Sequence, residues 1–199
     1  MRARTSRVWW FAAAFFCGAA VAMWAEELML RAQENRLEFS APQLHFITGR
    51  PKERLQNAAA VAYNIKVTLW SGSRTTPHGS QAARFIISYA LWEEKYSVSK
   101  VSVPKRNASH MTAAEAEAWC LKEMSMDVTG VPAQQMLWAK MEIRAEDERN
   151  SGLFRDKISE DGITLTDYFI ELFSGKPRAG VSHWELEAGP VTLEQLRRR

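Results

Sequence analysis

Cysteine is scarce in this chain, which has only Cys17 and Cys120 among its 199 residues. Cys17 lies in an apolar N-terminal segment, so Cys120 alone remains in the rest of the chain, and an intramolecular disulfide is excluded there. A domain without that cross-link depends on its hydrophobic core for stability. Cys120 follows Trp119 in a helical pattern, and we expect a buried, unreactive thiol, with an intermolecular disulfide as the alternative.

The sequence also lacks the motifs that mark common catalytic centres. There is no Gly-x-Ser-x-Gly turn, no glycine-rich phosphate loop and no His-Glu-x-x-His helix. The paired carboxylates Glu93-Glu94 and Glu160-Asp161 point to different sides of a strand or helix, which favours solvated turns over acid/base chemistry. A zinc site needs three or four ligands close together. The histidines are scattered along the chain: His45, His78, His110 and His183. No catalytic residue, metal ligand or cofactor is therefore predicted.

An excess of one charge is missing once the N-terminal segment is set aside. The whole chain has 26 basic and 23 acidic residues, but residues 1–25 hold three of the basic residues and no acidic one. The remainder therefore has 23 of each and is formally neutral. A neutral domain gains little from counterion release, so no nucleic-acid partner is predicted. Residues 197–199 are arginines that we interpret as solvated, with contact to acidic lipid or a partner as the alternative.

The N-terminus has the layout of an export segment. Three arginines within residues 1–7 precede the 18 uncharged residues 8–25, which is the order found in secretory signal peptides. Ala20-Val21-Ala22 is a suitable cleavage site for a signal peptidase, and a weaker site follows Ala25. The alternative is an uncleaved anchor, because the run is close to the ~20 residues that a membrane-spanning helix needs. Both interpretations predict that residues 26–199 form one domain, either periplasmic or anchored in the inner membrane and facing the periplasm.

Alternation of apolar and polar residues predicts a series of strands. The most regular stretch runs from Val61 to Trp70 and the next from about Ala82 to Glu93. The residues between them, 75–80, form a predicted loop, so we expect an antiparallel hairpin. Residues 95–103 continue the alternation with a slip of phase, which predicts a bulge near Lys100.

Further strands are predicted on both sides of this hairpin. Residues 37–46 alternate around Pro42, which is typical of an edge strand because proline cannot donate a ladder hydrogen bond. Residues 137–145 alternate strictly, and residues 181–187 form a shorter predicted strand. Residues 191–199 are predicted to be a tail with some helical character.

Two helices are predicted from their capping signals. Thr112 and Glu115 have the spacing of a capping box, and the helical pattern continues to about residue 126. Thr164 and Asp167 open a second pattern with apolar residues at helical spacing. Together these elements predict an α+β fold: an antiparallel β-rich sheet or small sandwich with two helices against one face, following the N-terminal export or anchor helix.

The stretch from Ile86 to Val98, with Tyr89 and Tyr96 on neighbouring predicted strands, resembles a segment of small exported bacterial proteins. These belong to a domain-of-unknown-function family in which a signal peptide precedes a β-rich domain. The resemblance covers roughly residues 35–105. It implies export, a β-rich fold and an accessory role in the envelope, and it provides no catalytic residues to carry over.

Three tryptophans are the candidate binding residues. Trp70, Trp92 and Trp138 lie near predicted strand ends, on the parity opposite to the main apolar set. One interpretation is that the two helices cover this second face and bury the indoles. The other is an exposed aromatic patch that binds a partner, a glycan or the lipid interface, because exposed aromatic residues concentrate at contact sites.

These observations favour a non-enzymatic cell-envelope protein, an accessory or interaction module with an envelope or membrane protein as its partner. Contact with the membrane would be through residues 8–25 if this segment is not cleaved, and no small-molecule substrate is evident. The alternative hypothesis is a hydrolase-type enzyme whose site is assembled from dispersed residues. That hypothesis requires a cleft that contains a titratable group with a perturbed pKa.

Overall fold

The computed structural model describes residues 27–146, 173–174 and 181–198. The predicted export segment lies outside the described residues, and so does the predicted second helix, except for Phe173 and Ser174. Within the described ranges, no helix has the length and apolar character needed to span a membrane.

The described chain is rich in strands. Its elements are β1 (Met29–Gln33), β2 (Arg36–Ser40), α1 (Gly49–Gln56), β3 (Val61–Ser71), β4 (Pro77–Ala90), β5 (Lys95–Lys100), β6 (Arg106–Met111), α2 (Ala113–Lys122), β7 (Met126–Asp127), β8 (Met136–Ala145), β9 (His183–Thr192) and α3 (Leu193–Arg197). The strands form a larger sheet in the order β6-β5-β4-β3-β8-β9 and a smaller sheet in the order β1-β2-β7. All the strand pairings in both sheets are antiparallel. The predicted β-rich α+β class is thus confirmed.

The two faces of the larger sheet differ because side chains alternate along each strand. We call the side that carries Tyr63, Phe85 and Met141 the core face, since these residues are fully buried there. Residues of the smaller sheet, such as Leu37 and Phe39, share the same hydrophobic core. The opposite side, which we call the outer face, carries polar and charged residues together with Trp70 and Trp138.

The helix α2 begins where its capping box predicts. The Thr112 hydroxyl accepts a hydrogen bond from the Glu115 backbone amide, and the Glu115 carboxylate accepts one from the Thr112 amide at 2.8 Å. Trp119 of α2 meets Phe85 edge to face, with ring centroids 6.1 Å apart, and Cys120 is fully buried as expected. The structure therefore places α2 on the core face, so this helix does not cover Trp70 and Trp138.

Several predicted element boundaries are wrong. The strand β2 lies in the middle of the smaller sheet rather than at an edge, because it pairs with both β1 and β7. It ends at Ser40, so Pro42 falls in a turn and removes no hydrogen bond from the strand. The strand β4 begins at Pro77, which shortens the predicted loop. The strand β5 ends at Lys100, and its irregular pairing with β6 lies between Tyr96 and Val98. The Lys100 ammonium donates a hydrogen bond to the backbone carbonyl of Glu123, which directly follows α2.

The strand β9 is the edge of the larger sheet next to β8. Its pairing is interrupted between Leu137 and Ala139 of β8, opposite Gly189 and Pro190. Gly189 has a φ of +101°, and a Cβ atom there would collide with the Leu137 carbonyl oxygen. Only glycine adopts this conformation without strain at so close an approach.

Candidate functional site

The three candidate tryptophans occupy two separate surfaces. Trp70 of β3 lies directly opposite Trp138 of β8, and both are partly exposed on the outer face. Trp92 lies in the turn between β4 and β5, at the other end of the sheet. With a rise of about 3.3 Å per residue, β4 separates the two surfaces by roughly 40 Å along the strand. The three tryptophans therefore do not form a single patch. They divide into the tryptophan pair, Trp70 and Trp138, and the hairpin tip, residues 91–94.

The hairpin tip exposes apolar side chains on a packed base. Trp92 is 100% exposed and Leu91 is 51% exposed. At the base of the tip, Tyr89 and Tyr96 are cross-strand partners whose ring centroids are 4.7 Å apart. Such aromatic cross-strand pairs stabilise the hairpin beneath the turn. The exposed indole is thus held out from the sheet by ordered strands.

The tip also carries acidic groups. Glu93 and Glu94 follow Trp92 directly, and the Glu93 carboxylate lies 3.3 Å from the Nε2 atom of His110 on β6. Both of these side chains are more than half exposed, so the pair contributes little to stability. The tip therefore presents an exposed apolar indole with carboxylates beside it.

A salt bridge between Arg74 and Glu187, which we call the strap, lies beside the tryptophan pair. The Arg74 guanidinium lies over the Trp70 ring, with its Cζ atom 5.9 Å from the ring centroid. Its Nη2 atom donates to the Glu187 carboxylate of β9 at 2.6 Å. Since β8 lies between β3 and β9, Arg74 connects the loop after β3 to β9 across β8. Both charged side chains of the strap are half exposed.

Next to the tryptophan pair, charged side chains of β8 and β9 form a row on the outer face, which we call the charge row. Glu142, His183 and Glu185 bring their ligand atoms within 4.8 Å of one another, a set that could hold a metal ion. However, the Lys140 ammonium lies 2.8 Å from Glu185 and 3.9 Å from Glu142, and an Arg144 nitrogen is also 3.9 Å from Glu142. The carboxylates are thus already compensated by two cations, so we assign no metal to this cluster.

The pKa of Lys140 reflects this arrangement. Partial burial, the largest effect, lowers the pKa, but the hydrogen bond to Glu185 and the negative charges of Glu142, Glu185 and Glu187 together outweigh it. The net effect raises the pKa above the ordinary value for lysine. The ammonium therefore stays charged and forms a fixed part of the outer face.

A buried ionic cluster lies at the other end of the outer face. Arg84 binds the Glu146 carboxylate through both terminal nitrogens, and Asn64 donates to the same carboxylate at 2.7 Å. Phe173 packs here as well, with the Arg144 guanidinium 4.7 Å from its ring centroid. A buried arginine bound by a carboxylate with further hydrogen bonds is a structural arrangement.

A second buried carboxylate ties α2 to the loop before α1. Glu117 accepts a hydrogen bond from the Ile47 amide at 2.6 Å, and its other oxygen lies 3.2 Å from His45 Nδ1. Burial, and then the Glu117 charge, raises the pKa of Tyr63 and that of Cys120. Both groups therefore stay protonated at neutral pH, and the Cys120 thiol is a poor nucleophile.

Sequence reasoning missed these charged clusters. The hydrogen-bond partners of Glu117 are His45 and Ile47, which lie far from it along the chain. No local sequence pattern predicts these contacts. For the charge row, the spacing of His183 and Glu185 was a signal in the sequence, because residues i and i+2 of a strand lie on the same face of the sheet. The contribution of Glu142 depends on the β8–β9 register, which no local pattern reveals.

No family model, curated protein or solved structure matches this chain. The resemblance to exported proteins of a domain-of-unknown-function family therefore stays a prediction.

Proposed function

We propose that this chain is a non-enzymatic cell-envelope interaction module, exported or anchored by residues 1–25, which contacts a partner protein through the hairpin tip. The observation that carries the proposal is the exposure of Trp92, which is complete, beside the half-exposed Leu91. Large aromatic side chains are costly to leave in water, and they are enriched among the residues that dominate binding energy at interfaces.

The energetics of the tip favour such a contact. Burying a large apolar side chain contributes about 1.5–3 kcal/mol, so Trp92 and Leu91 provide a compact anchor. The paired rings of Tyr89 and Tyr96 already order the base of the hairpin. Little backbone entropy is therefore lost when the tip is bound, and more of the burial energy appears as affinity.

The acidic groups define the chemistry of the partner. Glu93 and Glu94 lie beside the indole, so the complementary surface is an apolar pocket with a basic rim. An anionic lipid surface fits poorly, because it would repel both carboxylates while the indole inserts. We therefore favour a protein partner over the membrane itself.

The test is site-specific crosslinking in the native envelope. A photo-reactive side chain replaces Trp92 in one full-length variant and Val103, which is 87% exposed in the turn after β5, in a matched control. We expect one protein to be crosslinked from position 92, in competition with the unmodified chain, and not from position 103. Trp92→Ala should abolish co-purification of that protein, whereas Trp92→Phe should retain most of it.

Two results would contradict this proposal. One is an unchanged set of co-purifying components with Trp92→Ala. The other is a blue shift of tryptophan fluorescence with phosphatidylcholine vesicles that disappears in Trp92→Ala, since it would assign the tip to lipid.

A further inference from the structure

A histidine of the strand β6 lies against the hairpin tip. The His110 Nε2 atom is 3.3 Å from the Glu93 carboxylate, and both side chains are more than half exposed. Met111, the next residue of β6, pairs with Tyr96 at the base of the tip. The imidazole of His110 therefore lies at the border of the surface that contains Trp92.

The backbone of β6 is irregular at this histidine. The pairing of β5 with β6 shifts in register between Tyr96 and Val98. Two residues of β6, Ser109 and His110, lie opposite one residue of β5 there, which is a β-bulge, and bulges redirect side chains. His110 has a φ of +60°, in the left-handed region that few residues other than glycine adopt. Such a conformation persists where the surrounding structure imposes it, so the bulge fixes the place of this imidazole.

The imidazole of His110 has a bonding partner for each ring nitrogen in both of its charge states. Its Nδ1 atom lies 3.1 Å from the Ser109 hydroxyl, and a hydroxyl group both donates and accepts hydrogen bonds. Its Nε2 atom is directed at the Glu93 carboxylate. Protonation therefore requires no new partner, and what it changes is the charge beside Glu93.

The charge beside Glu93 affects the basic rim of the partner proposed for the tip. When the imidazole is neutral, Glu93 and Glu94 present two negative charges to that rim. An imidazolium beside Glu93 offsets one of them and repels the cations of the rim. Histidine is the side chain whose charge ordinarily changes between about pH 5 and 8.

The elements packed around His110 carry further charged or titratable side chains: Glu93 and Glu94 in the tip, Lys95 and Tyr96 on β5, and Glu115 at the start of α2. Burial raises the pKa of Tyr96 above its ordinary value near 10. Hydrogen bonds from Thr112 lower the pKa of Glu115 below its ordinary value of 4.5. Neither of these two groups therefore changes its charge between pH 5 and pH 8, and we assign a change of charge at the tip in this range to His110.

We propose that His110 makes the partner contact of the hairpin tip sensitive to pH, so that the contact weakens when the imidazole is protonated. This inference rests on the partner contact proposed above and adds its regulation. At alkaline pH the Glu93 carboxylate is available to the cations of the partner, whereas at acidic pH the imidazolium competes with those cations for it. Because the pair is exposed, we expect the affinity to change about two- to fivefold.

The test uses the photo-reactive side chain at position 92 of the full-length chain as its probe. Cells with a permeabilised envelope are equilibrated at pH 8 or at pH 5 before illumination, and the yield of the crosslinked protein is measured. We expect the yield to fall about two- to fivefold from pH 8 to pH 5. With His110→Asn the two yields should be nearly equal, because asparagine tolerates the left-handed backbone and carries no titratable group.

Two further variants separate His110 from other causes of pH dependence. His78→Gln removes an exposed imidazole at the opposite end of β4, and it should keep the native ratio of the two yields. Glu93→Gln changes an exposed side chain in the turn and removes the charge that attracts the partner. It should lower the yield at pH 8 about as much as acid lowers it in the native chain, and it tests the inference even if His110→Asn prevents folding.

The results distinguish failure of this inference from failure of the partner contact. Equal yields at pH 8 and pH 5 in the native chain, an unchanged pH dependence with His110→Asn, or an unchanged yield at pH 8 with Glu93→Gln would each overturn the inference while the partner contact stands. The absence of any crosslinked protein at both pH values, with His110 and Glu93 intact, would instead contradict the partner contact and this inference with it.

Discussion

At the scale of single residues, Tyr63 holds an unusual position. Its side chain is fully buried on the core face, against Phe46 at a ring-centroid distance of 5.2 Å. Its hydroxyl oxygen finds no hydrogen-bond partner within the part of the chain that the structure describes. Burying a hydroxyl without a partner costs stability, so here a polar atom opposes the packing of its own ring.

We predict that Tyr63→Phe raises the free energy of unfolding, by up to about 1 kcal/mol, because it removes a buried hydroxyl and keeps the ring. Denaturant titration at neutral pH measures the change. Tyr89→Phe, at a partly exposed position, is the control and should be nearly neutral. A loss of stability in Tyr63→Phe would mean that the hydroxyl has a bonding partner.

The same residue predicts a response to alkaline pH. Burial and then the Glu117 charge raise the pKa of Tyr63 above its ordinary value near 10. The folded state thus keeps a proton that the unfolded chain releases, so stability is complete below pH 10 and falls as the pH rises further. The advantage of Tyr63→Phe in unfolding free energy should therefore widen above pH 10. A constant difference between pH 8 and 11 would contradict this mechanism.

At the scale of elements, α2 shows how a short sequence signal fixes a structure. The capping box of Thr112 and Glu115 satisfies amides at the start of the helix, which otherwise have no intrahelical partner. Lys100 bonds to the Glu123 carbonyl just after the other end. Both ends of this helix are thus bonded while its buried side packs on β5.

We predict that Thr112→Ala lowers the free energy of unfolding by about 1 kcal/mol, because one amide loses its cap. Hydrogen bonds from the Thr112 backbone and then its side chain lower the pKa of Glu115 below its ordinary value of 4.5. The stability that this carboxylate contributes is therefore present above that value and is lost as the pH falls through the lowered pKa.

Denaturant titrations at pH 7 and pH 3 test both statements. Glu115→Gln is the matched control, since it retains a hydrogen-bond acceptor but removes the charge. It should show less loss of stability between the two pH values than the native chain. Equal acid sensitivity in the two proteins would show that the carboxylate of Glu115 is not responsible.

Prediction from sequence succeeded where the pattern was local and one-sided. The strands β3 and β8 alternate strictly because only one of their faces lies in the core, and α2 carries its own capping signal. By contrast, α1 buries only Pro51 and Leu55, and β6 is an edge strand without a buried residue, so neither shows a clear periodicity. The alternation of apolar and polar residues continues in the sequence past Ala90 as far as Glu93. It therefore predicted that Trp92 lies on a strand, whereas this residue lies in the turn between β4 and β5.

At the scale of the whole molecule, the larger sheet carries its two tryptophan surfaces at opposite ends. The hairpin tip lies where β4 meets β5, while the tryptophan pair lies where β3 and β8 are nearest to the loop of Arg74. The two surfaces are therefore far enough apart that a substitution at one should leave the other intact.

Export itself is tested by the intact mass of the protein recovered from its native cell, fraction by fraction. We predict a mass that lacks residues 1–22 or 1–25 in the soluble periplasmic fraction, or the full-length mass in the membrane fraction, since both interpretations place the domain outside the cytoplasm. A full-length chain in the cytoplasmic fraction would contradict the assignment of the N-terminal segment.

The irregular strand β9 has a consequence for how copies of this chain coexist at high concentration. An edge strand with regular unpaired amides and carbonyls invites another sheet to extend it, which is a common route to fibres. Pro190 has no amide proton to offer, and the kink at Gly189 disturbs the regular ladder beside it. The break in β9 thus limits growth of the sheet from one molecule into the next, and helps to keep the protein from polymerising.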